Sequence, residues 1–318
     1  MTKKLAAALV CMAFSTLQSL AWAQPTGEPL RILVPLAAGG GVDAITRIIA
    51  RELEGQLHRP VVVENRTGGN GVVATTAVAR AKPDGNTLIM VGMSHAVNPS
   101  LVDKLPYDTA RDLAEVTMVA TSPLVLLTHA QAPYKNVAEL IAYAKKNPGA
   151  VTYGIGGTGS SSHMAGLMFS AAAGITMEPV AYQGTAVAYP DLISGRLPLL
   201  IDNSVIPVRM ENEGKVRLLA VTTPKRSSAL PRTPTLAESG LAGYDVGAWF
   251  GVVAPGGTPA ATLSQLAQAI NATLKTEQVR EAFKAQGMEP VGSTPAEFSS
   301  LVDVEIQRWA KVVKSQAK

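Results

Sequence analysis

The chain has 318 residues, 47% hydrophobic and 16% charged, a size and balance that fit a globular protein of two domains. Its net charge of +4 comes from 28 basic and 24 acidic side chains; without Lys3 and Lys4 the 26 remaining basic residues leave only +2. With 5% aromatics and no basic run among them, nucleic acid is excluded as an expected partner.

The first residues read as an export signal. Lys3 and Lys4 supply its positive start, Leu5 to Leu20 its apolar run, and Ala21-Trp22-Ala23 a small-x-small cleavage site, so residues 1–23 are set aside from the fold. The apolar run is short for a membrane span, and no later segment reaches the roughly 18 apolar residues a span needs. Cys11, the single cysteine, lies inside this signal and follows Val10 rather than a small residue, which argues against a lipid anchor. From Gln24 onward there is no thiol, so disulfides, cysteine nucleophiles and thiolate metal sites are excluded. An exported, soluble protein is expected.

Leu30 to Leu36 reads as a buried strand and Ala37 to Asp43 as the loop after it. Ile45, Ile48, Ile49 and Leu53 then share one face of a helix, with Arg47, Arg51, Glu52 and Glu54 opposite. Val61 to Glu64 is a second strand, Asn65 to Gly71 a glycine-rich turn before a helix of small residues, and Thr87 to Val91 a third strand. Strands and helices alternating with short links predict a parallel sheet of right-handed βαβ units.

Two apolar β-type runs, Val116 to Ala120 and Leu124 to Thr128, flank Thr121-Ser122-Pro123. A second βα series follows: a helix capped by Asn136 and stopped at Asn147-Pro148-Gly149, and a strand from Ala150 to Tyr153. The glycine-rich stretch Tyr153 to His163 leads into a helix from Met164 to Ala173. Strands are expected at Glu178 to Ala181, Leu197 to Ile201, Leu218 to Val221 and Ala248 to Ala254. Pro255 to Pro259 starts a long helix, and Phe298, Leu301, Val302, Ile306, Trp309, Val312 and Val313 form one stripe of a last one.

Two loops carry the functional reading. Tyr153-Gly-Ile-Gly-Gly-Thr-Gly-Ser-Ser-Ser-His163 and Pro35-Leu-Ala-Ala-Gly-Gly-Gly-Val-Asp43 each leave a strand at its carboxyl end and open a helix. Glycines let a ligand approach the backbone, and helix first turns carry orphan donors and partial positive charge, which suits a carboxylate or phosphate. In open α/β sheets ligands bind outside the carboxyl ends of strands. Neither loop holds Lys or Arg, so recognition would rest on amides and hydroxyls. Each loop also has a plain structural reading, with Ser160 or Ser161 as a helix cap and Asp43 stabilising a first turn. Ser94-His95, His163, Tyr182 to Thr185 and Asp202 to Ser204 also lie at strand ends or in a helix first turn, open to either reading.

No catalytic signature stands out. Gly-Ser-Ser-Ser-His does not fit Gly-x-Ser-x-Gly. His58, His95, His129 and His163 lack the His-x-x-x-His spacing of a zinc site, and no metal is expected. Gly154 to Gly159 matches Gly-x-Gly-x-x-Gly, but about twenty residues on the acidic Glu178 begins its strand rather than ending one, and export argues against a nicotinamide. No cofactor and no catalytic residue are expected.

Several segments in fixed order carry a resemblance: Arg31 to Asp43, Val61 to Gly71, Ala79 to Leu88, Asn98-Pro-Ser-Leu101 and Leu105-Pro-Tyr-Asp108. Tyr153 to His163, Tyr182-Gln-Gly184, Arg226 with Leu230 to Gly240, and Trp249 to Pro259 continue it. Together they resemble the tripartite tricarboxylate transporter solute-binding proteins, the Bug family. The resemblance implies an α/β, two-domain type II periplasmic binding protein (a Venus-flytrap fold) with two hinge-crossing strands, near Ala120 to Pro123 and Tyr244 to Trp249. Residues 24–121 and 247–318 would form the first domain and 122–246 the second. It further implies a monomeric, non-enzymatic receptor for a small carboxylate: a di- or tricarboxylate, an amino acid or an aromatic acid. The ligand would be delivered to membrane permease subunits, or, alternatively, the closed form would dock on a sensor kinase ectodomain; an exported enzyme is the remote alternative. The positions matching the family's ligand site are Ala37, Ala38, Gly39, Gly40 and Asp43, then Gly156, Thr158, Gly159 and Ser160, with Ser94, Thr185 and Asp202 nearby. The chain departs from the family at Leu36-Ala37-Ala38-Gly39-Gly40, usually Phe-Pro-Pro-Gly-Gly, and at Tyr182-Gln183-Gly184, usually Tyr-Lys-Gly.

Overall fold

The computed structural model describes residues 27–39, 41–227 and 230–316. The expected export signal, Cys11 and Gly40 lie outside the described residues. Strands β1 (Leu30–Val34), β2 (Val61–Asn65) and β3 (Thr87–Gly92) pair in parallel, linked by helices α1 (Gly41–Leu57) and α2 (Val72–Ala79). Helix α3 (Met93–Leu101) leaves β3, and β4 (Leu113–Ser122) runs into β5 (Leu124–His129) with only Pro123 between them. Helix α4 (Val137–Lys146), β6 (Thr152–Ile155), α5 (Ser161–Ala173), β7 (Glu178–Ala181), α6 (Tyr189–Ile193), β8 (Leu199–Asn203), α7 (Val205–Asn212) and β9 (Val216–Val221) follow. The chain then returns through β10 (Ala248–Pro255), α8 (Ala260–Leu274), α9 (Glu277–Ala285), β11 (Glu289–Pro290) and α10 (Pro295–Gln316).

These strands form two sheets, in the orders β11-β4-β10-β3-β1-β2 and β7-β6-β8-β5-β9. The chain passes between them twice, from β4 to β5 and from β9 to β10, as the resemblance implied. On the six-stranded side the crossings pair as Ala248 with Ser122. On the other side buried Thr222 joins them: its amide donates to Leu124 O at 2.9 Å, its hydroxyl to Val246 O at 2.6 Å, and its own carbonyl accepts from Val246 N at 3.0 Å. The last third returns to the first sheet, where α10 buries Phe298, Val302 and Trp309. Leu33, Ile89 and Trp309 share one buried cluster with Tyr153, Ile155 and Met164 of the other unit, and Tyr244, Val246 and Trp249 belong to it too.

Several sequence expectations need correction. The strand placed at Ala150 to Tyr153 begins two residues later and ends at Ile155, so the glycine stretch is strand up to that point. The single long helix after Pro259 is two helices, broken between Leu274 and Glu277. Helices α3 and α7 were not expected: both are short and both enclose a proline, Pro99 and Pro207. No helix among the described residues is long and apolar enough to cross a membrane.

Glycines inside helices separate packing from propensity. A methyl group on Gly166 in α5 would come within 1.9 Å of the Tyr153 ring, which is fully buried, whereas one on Gly55 in α1 would meet nothing within 4 Å. Gly166→Ala should therefore lower the unfolding free energy by about 3 kcal/mol through overpacking, and Gly55→Ala should raise it by about 1 kcal/mol through helix propensity. Urea denaturation of both variants checks the opposite signs.

Candidate functional site

Asp43 organises the loop after β1. It sits in the first turn of α1 and is 4% exposed. One carboxylate oxygen accepts the Gly39 amide at 2.9 Å and the other the Asn65 side-chain amide at 2.8 Å, while Arg47 Nε lies 3.0–3.1 Å from both. Burial opposes its charge, but the bonds from Arg47, Gly39 N and Asn65 outweigh that and hold its carboxyl below the usual range. Asn65 also donates to Leu36 O and accepts from Arg47 Nη2, so the end of β2 grips the loop. Asp43 is thus engaged in shaping the backbone. Ala37, Ala38 and Gly39 lie exposed at the rim, with Gly39 in the left-handed region at φ 86°.

The turn after β2 lies alongside. Asn70 takes a left-handed conformation (φ 55°, ψ 40°), and Gly71, at φ 85°, sits where a methyl group would be 3.3 Å from Pro35 and 3.9 Å from the Ser94 hydroxyl. The carboxyl ends of β1, β2 and β3 therefore converge on Pro35, Gly71 and Ser94. His95, beside Ser94, points elsewhere: it is 3% exposed, with Nε2 3.6 Å from Glu115 Oε1.

On the five-stranded unit, Ser160 caps α5, its hydroxyl accepting from His163 N at 3.3 Å. The Gly156 amide donates to the Ser162 hydroxyl at 3.0 Å, and Ser160 and Ser162 share a bond of 2.9 Å. The Gly159 amide donates to His163 Nδ1 at 3.0 Å, which fixes the imidazole as neutral with its proton on Nε2. Burial pushes the His163 pKa down, in keeping with that state. Thr185 packs against Gly156 and donates to Asp202 Oδ1 at 2.7 Å; Tyr189 donates to Oδ2 at 2.9 Å, and the Asn203 amide to Oδ1 at 2.8 Å. Asp202 is 4% exposed, and burial raises its pKa despite these bonds. It underpins the Thr185 turn from within.

The expected picture of loop amides open to an anion therefore narrows. The amides of Gly39, Gly156 and Gly159 are spent on Asp43, Ser162 and His163, and that of Ser160 on Gly157 O. Those of Gly157 and Thr158 have no hydrogen-bond partner among the described residues. The two units meet beside them: a methyl group on Gly159 would come within 2.6 Å of Asn70 Nδ2, 2.9 Å of Leu101 and 3.6 Å of Val97. Asn65, Arg47, Asn70 and Asn98 were not singled out as site residues from the sequence, although Asn65, Asn70 and Asn98 lie in segments that carried the resemblance. Their partners lie 18 to 29 residues away, apart from the Asp43–Arg47 pair at helical spacing. That i,i+4 spacing was the one signal available.

A family sequence profile, described as tripartite tricarboxylate transporter family receptor, matches residues 45–317. Protein BugT of Bordetella pertussis is 37% identical over 289 residues, covering 90% of this chain and 89% of BugT. The structure of the periplasmic binding protein BugD is similar with a TM-score of 0.81 at 33% identity, covering 90% of this chain and 97% of BugD. That of R. palustris Rpa4515 with adipate is similar with a TM-score of 0.82 at 35% identity, covering 90% and 96%. The two-sheet α/β fold is that of a periplasmic binding protein.

The His163 bond has a pH signature. Because burial lowers the folded-state pKa, the unfolded chain binds this proton more readily; the stability it supports is present above the ordinary value of 6.5 and lost as pH falls through the folded-state pKa. His163→Asn keeps an acceptor near the Nδ1 position without the titration. Urea unfolding from pH 8 to pH 5 should show the parent's advantage over His163→Asn shrinking toward acid.

Proposed function

The chain belongs to the tripartite tricarboxylate transporter family of receptors, and from that premise we propose that it is a periplasmic solute-binding protein that closes around a small carboxylate and passes it to membrane permease subunits. The observation that carries this reading is the meeting of the glycine loop of one unit with the Asn70 turn of the other, beside the uncommitted amides of Gly157 and Thr158. Residues 24–121 and 247–318 would act as one domain and 122–246 as the other. A ligand touching both favours the closed arrangement by its differential affinity, and rotation at the two crossings lets the domains part.

The contacts support distinct roles. Gly157, Thr158 and the first turn of α5 would receive a carboxylate through amide donors and helix polarity, with Ser94, Thr185 and the Ala37–Ala38 rim around it. Asp43, His163 and Asp202 would act through the backbone they hold. Arg47 lies near the first loop, yet its guanidinium is committed to Asp43 and Asn65, so anion binding would rest on dipoles. Apolar Leu36, 49% exposed at the rim, suits a ligand with a hydrocarbon body. No step of covalent chemistry is assigned to these groups.

A melting-temperature screen over dicarboxylates (adipate first), tricarboxylates, acidic amino acids and aromatic acids tests the reading. Ligand at 100-fold above Kd should add about 2.7 kcal/mol to stability, a rise of several degrees. No rise with any carboxylate, on protein refolded to remove bound solute, would contradict it.

A further inference from the structure

The segments Asn98–Leu101 and Leu105–Asp108 carry no ligand-facing group in the reading above, yet the first supports the point where the two units touch. Asn98, 2% exposed, accepts from Asn70 Nδ2 at 2.8 Å and donates its own amide to Asn70 O at 3.2 Å. This reciprocal pair holds both the side chain and the left-handed backbone of Asn70. Tyr107, 7% exposed, has its hydroxyl near Asn98 and Thr75. Leu101, three residues after Asn98, supplies the apolar neighbour. In front lies Gly159 of the other unit, so close that a methyl group there would reach 2.6 Å from Asn70 Nδ2 and 2.9 Å from Leu101. Gly159 also needs φ 77°, a region that favours glycine, and is pinned by His163.

We propose that Asn70, held by Asn98, is a positioning residue for closure: a rigid stop on the first unit against which the Gly159 loop of the second unit seats. Both sides of the contact are fixed by their own hydrogen bonds, so seating costs little further ordering. Because the half-buried Asn70 is anchored by hydrogen bonds to buried Asn98, within its own unit, its position is independent of the ligand. The Asn98 motif thereby gains a role, as do Gly159 and His163 opposite it. The inference rests on the closing motion proposed above, and on no particular ligand.

Spin labels at Gln56→Cys and Ala142→Cys, exposed and one on each unit, report the interdomain distance in a chain that has no other cysteine beyond Cys11. Measured without ligand and again with adipate, Asn70→Gly, which keeps the left-handed turn, should lower the closed-to-open ratio roughly fivefold. Asn98→Ala should act in the same direction. Gly159→Ala should open the parent strongly and the Asn70→Gly background less, because part of its clash has been removed. This coupling separates a stop from a merely structural residue, whatever the melting temperature does. An unchanged ratio in Asn70→Gly, additive effects of the two substitutions, or a parent whose units never approach contact would overturn the proposal. Loss of the adipate effect alone would count against the carboxylate reading and leave the ligand-free comparison standing.

Discussion

Everything in this molecule depends on two chain crossings that run side by side. The β4–β5 and β9–β10 passages are tied by the Ser122–Ala248 pairing on one side and by Thr222, bonded to Leu124 and Val246, on the other. A buried hydroxyl that failed to find these carbonyls would carry its full desolvation cost, so Thr222 fixes the register of both crossings. Two adjacent strands resist separation along their length yet twist readily. The rotation proposed for the units would then leave their pairing intact. Near this axis Ser122 donates to Gly287 O at 3.0 Å, and Gly287 lies against Ser204 and Val205, so the turn before β11 also follows the relative position of the units.

From that axis the polar side chains of the cleft take on a consistent purpose: they hold backbone. Asp43 secures the loop after β1, Asn98 the turn after β2, His163 and the serines the loop after β6, and Asp202 the turn before α6. None of these presents a cation to the cleft. Ion pairs near it, such as Arg47 with Asp43, are internally satisfied. A site built from amide dipoles accepts negative charge without committing a guanidinium to one ligand shape. The part of a ligand beyond its carboxylate would then be read by rim groups such as Leu36.

Local signals in the sequence were reliable. Asn136 was expected to cap a helix, and its side chain accepts from Glu139 N at 2.9 Å. Ser160 resolves the choice of cap before α5. The parallel β1–β3 unit and the stripe of α10 followed from periodicity, since both are properties of neighbouring residues. What stayed hidden depended on distant partners. The Asn70–Asn98 pair spans 28 residues, and β11 is two residues that become a strand by lying beside β4. The glycine loops showed that donors would be plentiful; only the folded arrangement shows that Asp43, Ser162 and His163 consume three of them.

The central claim is that a carboxylate is held by the amides left uncommitted at Gly157 and Thr158. Titration of adipate into ¹⁵N-labelled protein, followed by amide resonances, tests it most directly. The account predicts the largest downfield proton shifts at Gly157 and Thr158, with Gly39 and Gly159 moving far less because their hydrogen bonds are internal. Largest shifts at Gly39 and Gly159, or at amides remote from this loop, would contradict it.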